Sequence, residues 1–330
     1  MSGAADRVVT IDIGGTHARF AIAELSAQGS ISLSDPLTFK TADHDGFESA
    51  WAAFRTSVKQ PLPQAASMAI AGQADREIIR FTNNPWIIER NLLERKLGLA
   101  RLTIVNDFEA IAHGVAHAPQ GALEHLAGPE TPLPAKGRLT VIGPGTGLGV
   151  AHLHRGAGGT YHVSPTEGGH IGFAPLDPFE DALLARLRER HGRVSVERVV
   201  SGPAIIDIHQ TLAGFEGSAL SDCGAVELWT DGLSAHDSLA AAAIERFCRM
   251  FGSVAGDMAL AHGSFGVVIA GGLGFRLRQV LPRSGFAARF CAKGRFASLM
   301  ETIPVKLITH PEPGLLGAAA AHRQMQGDHS

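Results

Sequence analysis

Two spacings of apolar residues, one typical of strands and one of helices, take turns along this chain. Short, continuous apolar runs at Val8–Ile13, Ala65–Ala71 and Leu102–Val105 are typical of buried strands. Over Gly46–Val58 and Ser238–His262 the large apolar residues instead recur every three or four positions, which predicts amphipathic helices. Strands that take turns with helices predict an α/β fold.

Two predicted hairpins have the same layout, in which a glycine-rich turn joins two apolar strands. The elements are Val8–Ile13, Gly14-Gly15 and Ala18–Leu25 in the first hairpin, and Leu139–Ile142, Gly143–Gly147 and Leu148–Leu153 in the second. Aligned without gaps, Gly15-Thr16 falls on Gly145-Thr146. This weak repeat suggests two similar α/β units in tandem, although two hairpins can also resemble each other by chance.

The rest of the chain is interpreted by the same rules. Helices are predicted at Asn91–Leu97, at Pro178–His191, after Ser201-Gly202-Pro203 and from Pro313–Gly317 onward, and strands at Gly266–Ala270 and Pro304–Thr309. The stretch Leu212–Glu227 is predicted to be a loop.

Composition and charge narrow the class of protein. Apolar residues make up 45% of the chain and charged residues 18%, which is typical of a globular protein. The formal charge of −3 without basic blocks argues against a nucleic-acid partner. No apolar stretch approaches the ~20 residues of a membrane span, and no signal-peptide pattern is found, so a cytoplasmic protein is expected. The three scattered cysteines predict free thiols.

The glycine-rich turns are candidate phosphate sites. Without Cβ atoms, backbone N–H groups can converge on an anion, and the hydroxyl groups of Thr16 and Thr146 add donors. One such turn is often only a tight connection, but two with the same Gly-Thr pair favour phosphate binding. Asp12 precedes the first turn and is a candidate Mg²⁺ ligand, directly or through water. The P-loop and protein-kinase motifs are absent, and the dinucleotide fingerprint lacks its helix.

The most informative acidic residue is Asp107, which with Asn106 ends the apolar run Leu102–Val105. Ligands of open α/β proteins bind at the carboxyl ends of strands. Packing gives no reason for a carboxylate there, so Asp107 is predicted to be a general base that takes a proton from a substrate hydroxyl.

Three polar clusters offer the carboxylates and amides that a sugar site needs. Glu167 and His170 flank two glycines, although a solvated surface turn would have the same pattern. Glu197 precedes Arg198, so it could instead form an ordinary salt bridge on a helix. Asn83 lies in the polar turn Thr82–Trp86, which plain turn chemistry also explains.

Taken together, these motifs resemble the bacterial glucokinase family of the hexokinase, actin and sugar-kinase superfamily. The matching segments, in the family's order, are Asp12–Thr16, Asn106-Asp107-Phe108, Gly143–Gly149, Glu167–His170, Ser195–Val199, Ala270-Gly271-Gly272 and Pro313–Gly317. The resemblance implies two actin-like (ribonuclease H-like) α/β domains flanking a substrate cleft. The expected domains are a small one, residues 1–117 plus 311–330, and a large one, residues 118–310.

The resemblance also implies transfer of the ATP γ-phosphoryl group to the 6-hydroxyl of glucose in glycolysis, with Mg²⁺ and with Asp107 as the base. The residues expected at the sugar are Asn83, Asn106, Asp107, Glu167, His170 and Glu197. Those expected at the nucleotide are Ile11, Asp12, Ile13, Gly14, Gly15, Thr16, Gly145, Thr146, Gly147, Gly271 and Gly272. A homodimer is expected, with no nucleic-acid or membrane partner.

Some features depart from the family or leave other functions open. His17 stands where the family commonly has Asn, with an open effect on nearby contacts. The Cys-rich zinc motif of the neighbouring repressor–kinase sugar family is absent, which favours the zinc-free glucokinase group. The alternatives are a kinase for mannose or fructose, one with another phosphoryl donor, or a non-catalytic sugar sensor.

Overall fold

The computed structural model describes residues 6–81, 84–218 and 223–327. The chain forms two compact units. The first comprises the chain up to Pro119, Val163–Pro165 and the chain from His310 onward, and the second comprises Gln120–His162 and Thr166–Thr309. Each unit has its own hydrophobic core. Within the described ranges, no helix is both long enough and apolar enough to cross a bilayer.

The elements follow one another along the whole described chain. The strands are β1 (Asp6–Ile13), β2 (His17–Leu25), β3 (Ile31–Leu33), β4 (Leu37–Lys40), β5 (Ala65–Ile70), β6 (Ile78–Arg80), β7 (Ile87–Glu89), β8 (Arg101–Asn106), β9 (Leu123–Ala127), β10 (Gly137–Pro144), β11 (Leu148–Arg155), β12 (Tyr161–Thr166), β13 (Val267–Ile269) and β14 (Val305–Ile308). The helices are α1 (Phe47–Ser57), α2 (Arg90–Leu97), α3 (Asp107–His117), α4 (Pro178–His191), α5 (Ala204–Glu216), α6 (Ala225–Leu233), α7 (Ser238–His262), α8 (Gly271–Arg276), α9 (Phe286–Cys291), α10 (Ala297–Met300) and α11 (Pro313–Gly327).

The two main sheets share one strand plan. In the first, the order is β3-β2-β1-β5-β8, with β4 also pairing with β2. In the second, it is β12-β11-β10-β13-β14, with β9 added at the edge. The central strands β1 and β10 are each antiparallel to the next strand in the chain and parallel to β5 and β13 respectively. The predicted α/β fold and its internal repeat are therefore confirmed.

An aromatic cluster holds the first hairpin against α1. Phe47, Trp51 and Phe54 are buried on one face of this helix, as their spacing predicts. The ring of Phe20, in β2, stacks on Phe54 with centroids 5.0 Å apart and lies 6.1 Å from Phe47. Buried aromatic rings remove a large apolar area from water, so this cluster stabilises the hairpin that carries the first glycine-rich turn.

Helix α11 completes the first unit from a distant part of the sequence. It packs on α3, β1 and β5. Gly317 of α11 lies against the carbonyl group of Ala110, and Gly114 of α3 lies against that of Pro313, with no room for a Cβ at either glycine. The absence of side chains at these two points lets the helices approach at backbone distance.

The predicted loop at Leu212–Glu227 is wrong at both ends. Helix α5 continues to Glu216 and ends at Gly217 in the left-handed conformation, and α6 begins at Ala225. Phe215 and Val226 are exposed, at 58% and 76%. Apolar residues on the solvent side blur the helical spacing, which explains the error.

Candidate active site

The first glycine-rich turn joins β1 to β2 and is held in place from outside the hairpin. The N–H group of Gly14 donates to the carbonyl oxygen of His17 at 2.9 Å. Thr41 donates from its N–H group to the carbonyl of Thr16 and from its hydroxyl to the carbonyl of Gly15, each at 3.0 Å. The turn is thereby fixed in one shape, with Thr16 exposed. Nδ1 of His17 lies 3.0 Å from the Thr16 hydroxyl.

Asp12 lies beside this turn, opposite Arg19 in the hairpin. Its Oδ2 is 3.6 Å from Nη1 of Arg19, and Gly314 of α11 packs against the carboxylate. Burial raises the pKa of Asp12 to about 6; Arg19 opposes this shift and the Glu312 carboxylate adds to it. Among the described residues, no three His, Cys, Asp or Glu side chains group to hold a metal ion. Mg²⁺ held mainly by phosphates and water needs only one or two carboxylates, and Asp12 fits that mode.

Asp107 is the first residue of α3, and its neighbours explain its position. Asn106 caps the helix, because its Oδ1 accepts from the N–H groups of Phe108 at 2.9 Å and Glu109 at 3.3 Å. Glu109 completes the capping box by accepting from the N–H of Asn106. The Asp107 carboxylate is partly buried and accepts from the N–H of Phe108 at 2.8 Å. A carboxylate in the first turn of a helix is stabilised by the helix dipole.

The sheet of the first unit brings the two groups of predicted residues to one edge. In the parallel register, Ile13 pairs with Ile70 and Ile70 pairs with Asn106. The Asp12–Thr16 segment and Asp107 therefore lie at the carboxyl ends of strands separated by β5 alone, roughly 10 Å apart given the usual strand spacing. This is the edge at which open α/β proteins bind ligands.

In the first unit, some predicted site residues offer no side chain to a ligand, while two residues that were not predicted hold the first turn and Asn106 in place. Ile11 and Ile13 have fully buried side chains, so only their backbone could face a nucleotide. Asn83 lies outside the described residues. Its neighbour Asn84 donates to the carbonyl of Gly14 at 3.4 Å. The carbonyl of Gly72, which follows β5, accepts from Nδ2 of Asn106 at 3.0 Å. A glycine after an apolar strand was the only signal for this contact.

In the second unit, the turn Gly145-Thr146-Gly147 joins β10 to β11. The N–H of Gly145 donates to the carbonyl of Gly147 at 2.8 Å, which closes the turn. The N–H of Gly202 donates to the carbonyl of Gly145 at 2.7 Å. Thr146 is exposed at the tip. The turn is therefore held at its base while its threonine hydroxyl faces solvent.

Glu197 reaches this turn directly. It lies in the 3₁₀ helix Val196–Arg198, and its Oε2 accepts a hydrogen bond from the N–H of Leu148 at 3.0 Å. No ion pair of Glu197 is found within the described ranges, so the salt-bridge interpretation has no support. Gly169 lies against the carbonyl group of the same residue, Leu148. Glu197 and the Glu167–His170 segment thus both contact Leu148, one through its N–H group and the other through its carbonyl group.

Glu167 and His170 form an exposed pair. Oε2 of Glu167 is 3.7 Å from Nε2 of His170, with the side chains 69% and 59% exposed. Gly168 and Gly169 between them are buried, and Gly168 packs on Met258 and Val150. The glycines thus seat the segment on the sheet while both polar side chains face outward.

The Gly271-Gly272 pair follows β13, next to the turn in the sheet. Gly271 has a positive φ of 82° and lies close to the carbonyl oxygen of Pro144, which a Cβ would approach to 3.2 Å. The N–H of Ala270 donates to Ile142 at 2.9 Å. The chain therefore turns sharply at Gly271 beside the base of the Gly145–Gly147 turn.

Known proteins share this architecture. A relative from Zymomonas mobilis, described as a glucokinase, is 52% identical over 315 residues, which cover 96% of this chain and 97% of the relative. The crystal structure of a glucokinase from an Antarctic psychrotroph is 30% identical with a TM-score of 0.84, covering 97% of this chain and 99% of that one. A ROK family glucokinase from Streptomyces griseus, solved with glucose and AMPPNP, has a TM-score of 0.61 at 19% identity, covers 96% of this chain and 99% of its own, and shares the fold.

Fold and relatives together define a sugar kinase built from two actin-like α/β units. The sequence profile of one family, Glucokinase, matches residues 9–325. The chain belongs to the glucokinase family.

Proposed function

We propose that this protein transfers the γ-phosphoryl group of ATP to the 6-hydroxyl of D-glucose, with Asp107 as the general base. The observation that carries the proposal is the common sheet edge at which Asp107 and the Asp12–Thr16 segment lie. A base and a phosphate-binding turn on one rigid sheet are the two parts that phosphoryl transfer to a hydroxyl requires. The glucokinase relatives support the same activity.

Asp107 takes the proton of the attacking hydroxyl group. Its backbone is fixed by the capping box of Asn106 and Glu109, and its own carboxylate is oriented by the N–H of Phe108. A positioned base gives an acceleration of about 10²- to 10⁴-fold. Asn106 has both ends of its amide engaged by α3 and by Gly72, so it acts on the sugar mainly by holding Asp107.

The two Gly-Thr turns bind the phosphates of ATP, and Gly271-Gly272 lies by the adenosine. Backbone N–H groups and the hydroxyl groups of Thr16 and Thr146 are the donors. Mg²⁺ would neutralise charge on the phosphates, and Asp12 would hold it through water. The use of ATP is supported by the AMPPNP bound in the Streptomyces griseus glucokinase.

Glu167, His170, Glu197 and Asn83 bind the sugar hydroxyl groups. Carboxylates accept hydrogen bonds from ring hydroxyls, and an imidazole can accept or donate one. A site built on such pairs rejects sugars that lack them by large factors. Glu167 and His170 are exposed on the same side of a buried glycine pair, as a ligand would need. The glycolytic role and the homodimer remain predictions from the family resemblance, and the cytoplasmic location remains a prediction from the sequence.

A coupled assay for ADP with a panel of sugars and donors tests the proposal. Glucose with ATP and Mg²⁺ should give the highest kcat/KM, with mannose and fructose well below it. If ADP forms only with another hexose, that hexose and not glucose is the substrate. Sugar binding without any ADP formation would identify a sensor instead of a kinase.

A further inference from the structure

Glu197 touches the phosphate-binding turn of its own unit, a contact that a sugar ligand does not require. Its Oε2 accepts from the N–H of Leu148 at 3.0 Å. Gly147, the last residue of the turn, is so close to this oxygen that a Cβ there would overlap it. Leu148 is 6% exposed, so its N–H group has little access to water. The carboxylate is therefore the partner on which this buried N–H depends.

The segment that carries Glu197 also holds the other end of the turn. Gly202 donates from its N–H group to the carbonyl of Gly145 at 2.7 Å. Between the two contacts, Val199 and Val200 are fully buried in the core of the second unit. A segment anchored in this way fixes both ends of the Gly145–Gly147 turn at once.

We propose that Glu197 is a positioning residue for the nucleotide as well as a ligand of the sugar. Its carboxylate sets the conformation of the Gly145–Gly147 turn through the N–H of Leu148, and so sets the affinity for phosphates before any sugar binds. The identity of the ligand at the turn rests on the proposed function. A hydrogen bond to a charged acceptor is among the stronger ones in proteins, and an anion site needs its N–H groups held in place.

Titration calorimetry of AMPPNP with Mg²⁺ into the sugar-free protein measures the affinity that tests this inference. Glu197→Ala should weaken AMPPNP binding about tenfold, equivalent to about 1.4 kcal/mol. Glu197→Gln keeps an acceptor of the same shape and should stay within about threefold of the wild type, a smaller change than the Ala variant. Glu189→Ala removes an exposed carboxylate of α4 and serves as the matched control, with unchanged binding expected.

A second variant approaches the contact from the turn. Gly147→Ala places a methyl group against the Glu197 carboxylate and should displace it, weakening AMPPNP binding although Glu197 itself is not replaced. If thermal unfolding shows that Glu197→Ala is not folded, the Gly147→Ala variant tests the positioning role instead. AMPPNP affinity equal to the wild type in the folded variants, with only glucose affinity reduced, overturns the positioning role and leaves the proposed kinase standing. A wild type that binds no AMPPNP, with or without glucose, overturns both.

Discussion

Gly317 of α11 lies directly on the carbonyl group of Ala110 in α3, and not even a methyl group fits between them. Gly114 repeats this contact with Pro313 one turn further along α3. Because α3 begins at Asp107, the contact fixes the helix that presents the proposed base. A distant stretch of sequence therefore determines the position of the residue on which the proposed chemistry depends.

Gly317→Ala is expected to lower the free energy of unfolding by about 1–3 kcal/mol, the usual cost of overpacking. The new Cβ meets backbone atoms, which cannot turn aside as a flexible side chain can. Urea unfolding measures the change. Gly214→Ala in α5 is the control, since no atom lies within 4 Å of its Cβ position, and it should be neutral or stabilising. Equal effects of the two substitutions would contradict the close helix contact.

Asp107→Asn should reduce kcat by about 10²- to 10⁴-fold. Asn has the same size and can still accept from the N–H of Phe108, so α3 and the affinity for glucose should be retained. The coupled ADP assay gives kcat, and calorimetry gives the sugar affinity. A kcat near that of the wild type would remove Asp107 from the role of base.

Thr146→Val should weaken ATP binding about fivefold, the effect of one lost hydrogen bond. The hydroxyl is exposed at the tip of its turn, so the free energy of unfolding should stay the same. Thr146→Ser keeps the hydroxyl group and should bind ATP as the wild type does. If the Val variant has an unchanged KM for ATP and an unchanged kcat, the turn is a structural connection only.

Glu167→Gln and His170→Ala should raise the KM for glucose with a smaller effect on the KM for ATP. Both side chains are largely exposed, so their loss should not unfold the protein. Steady-state kinetics with each substrate varied in turn separates the two constants. A glucose KM that does not move in either variant would return this segment to the alternative interpretation, a solvated surface turn.

His262 should make the protein less stable as the pH falls below about 6.5, the usual pKa of histidine. Burial, and to a smaller extent His152, lowers the pKa of His262, whose Nδ1 lies 2.8 Å from the Thr140 hydroxyl. The folded protein then binds fewer protons than the unfolded chain, so the stabilisation present above the unfolded pKa is lost as the pH falls toward the folded pKa. His262→Asn should make unfolding in urea less dependent on pH between 7 and 5.5; the same pH dependence in both proteins would rule out this contribution.

Local patterns in the sequence predicted the elements that depend on neighbouring residues. The hairpins, α1 and α7 follow from spacing, because their buried faces are regular. Gly46 precedes α1, and Asp237 and Gly263 flank α7. Helix α7 was predicted at its observed limits, Ser238–His262. Asp237, which accepts from the N–H groups of Leu239 and Ala240, fixes its start.

Contacts between distant residues could not be predicted in this way. The hydrogen bond from Leu148 to Glu197 and the one from Asn106 to Gly72 join residues far apart in the sequence. Their geometry depends on the strand order and on glycines that allow close approach. The sequence could predict a functional role for Glu197, but its hydrogen bond to the turn could be found only in the folded structure.

The return of α11 to the first unit also has a consequence for how the protein is made. A ribosome produces β1, β2, β5, β8 and α3 early, and α11 only after the whole of the second unit. Until α11 has emerged, the faces of α3 and β1 that it covers stay open to water and to chaperones. The second unit, although later in the chain, can thus reach its native state first. The first unit, whose strands are synthesised earliest, finishes folding last because it needs α11.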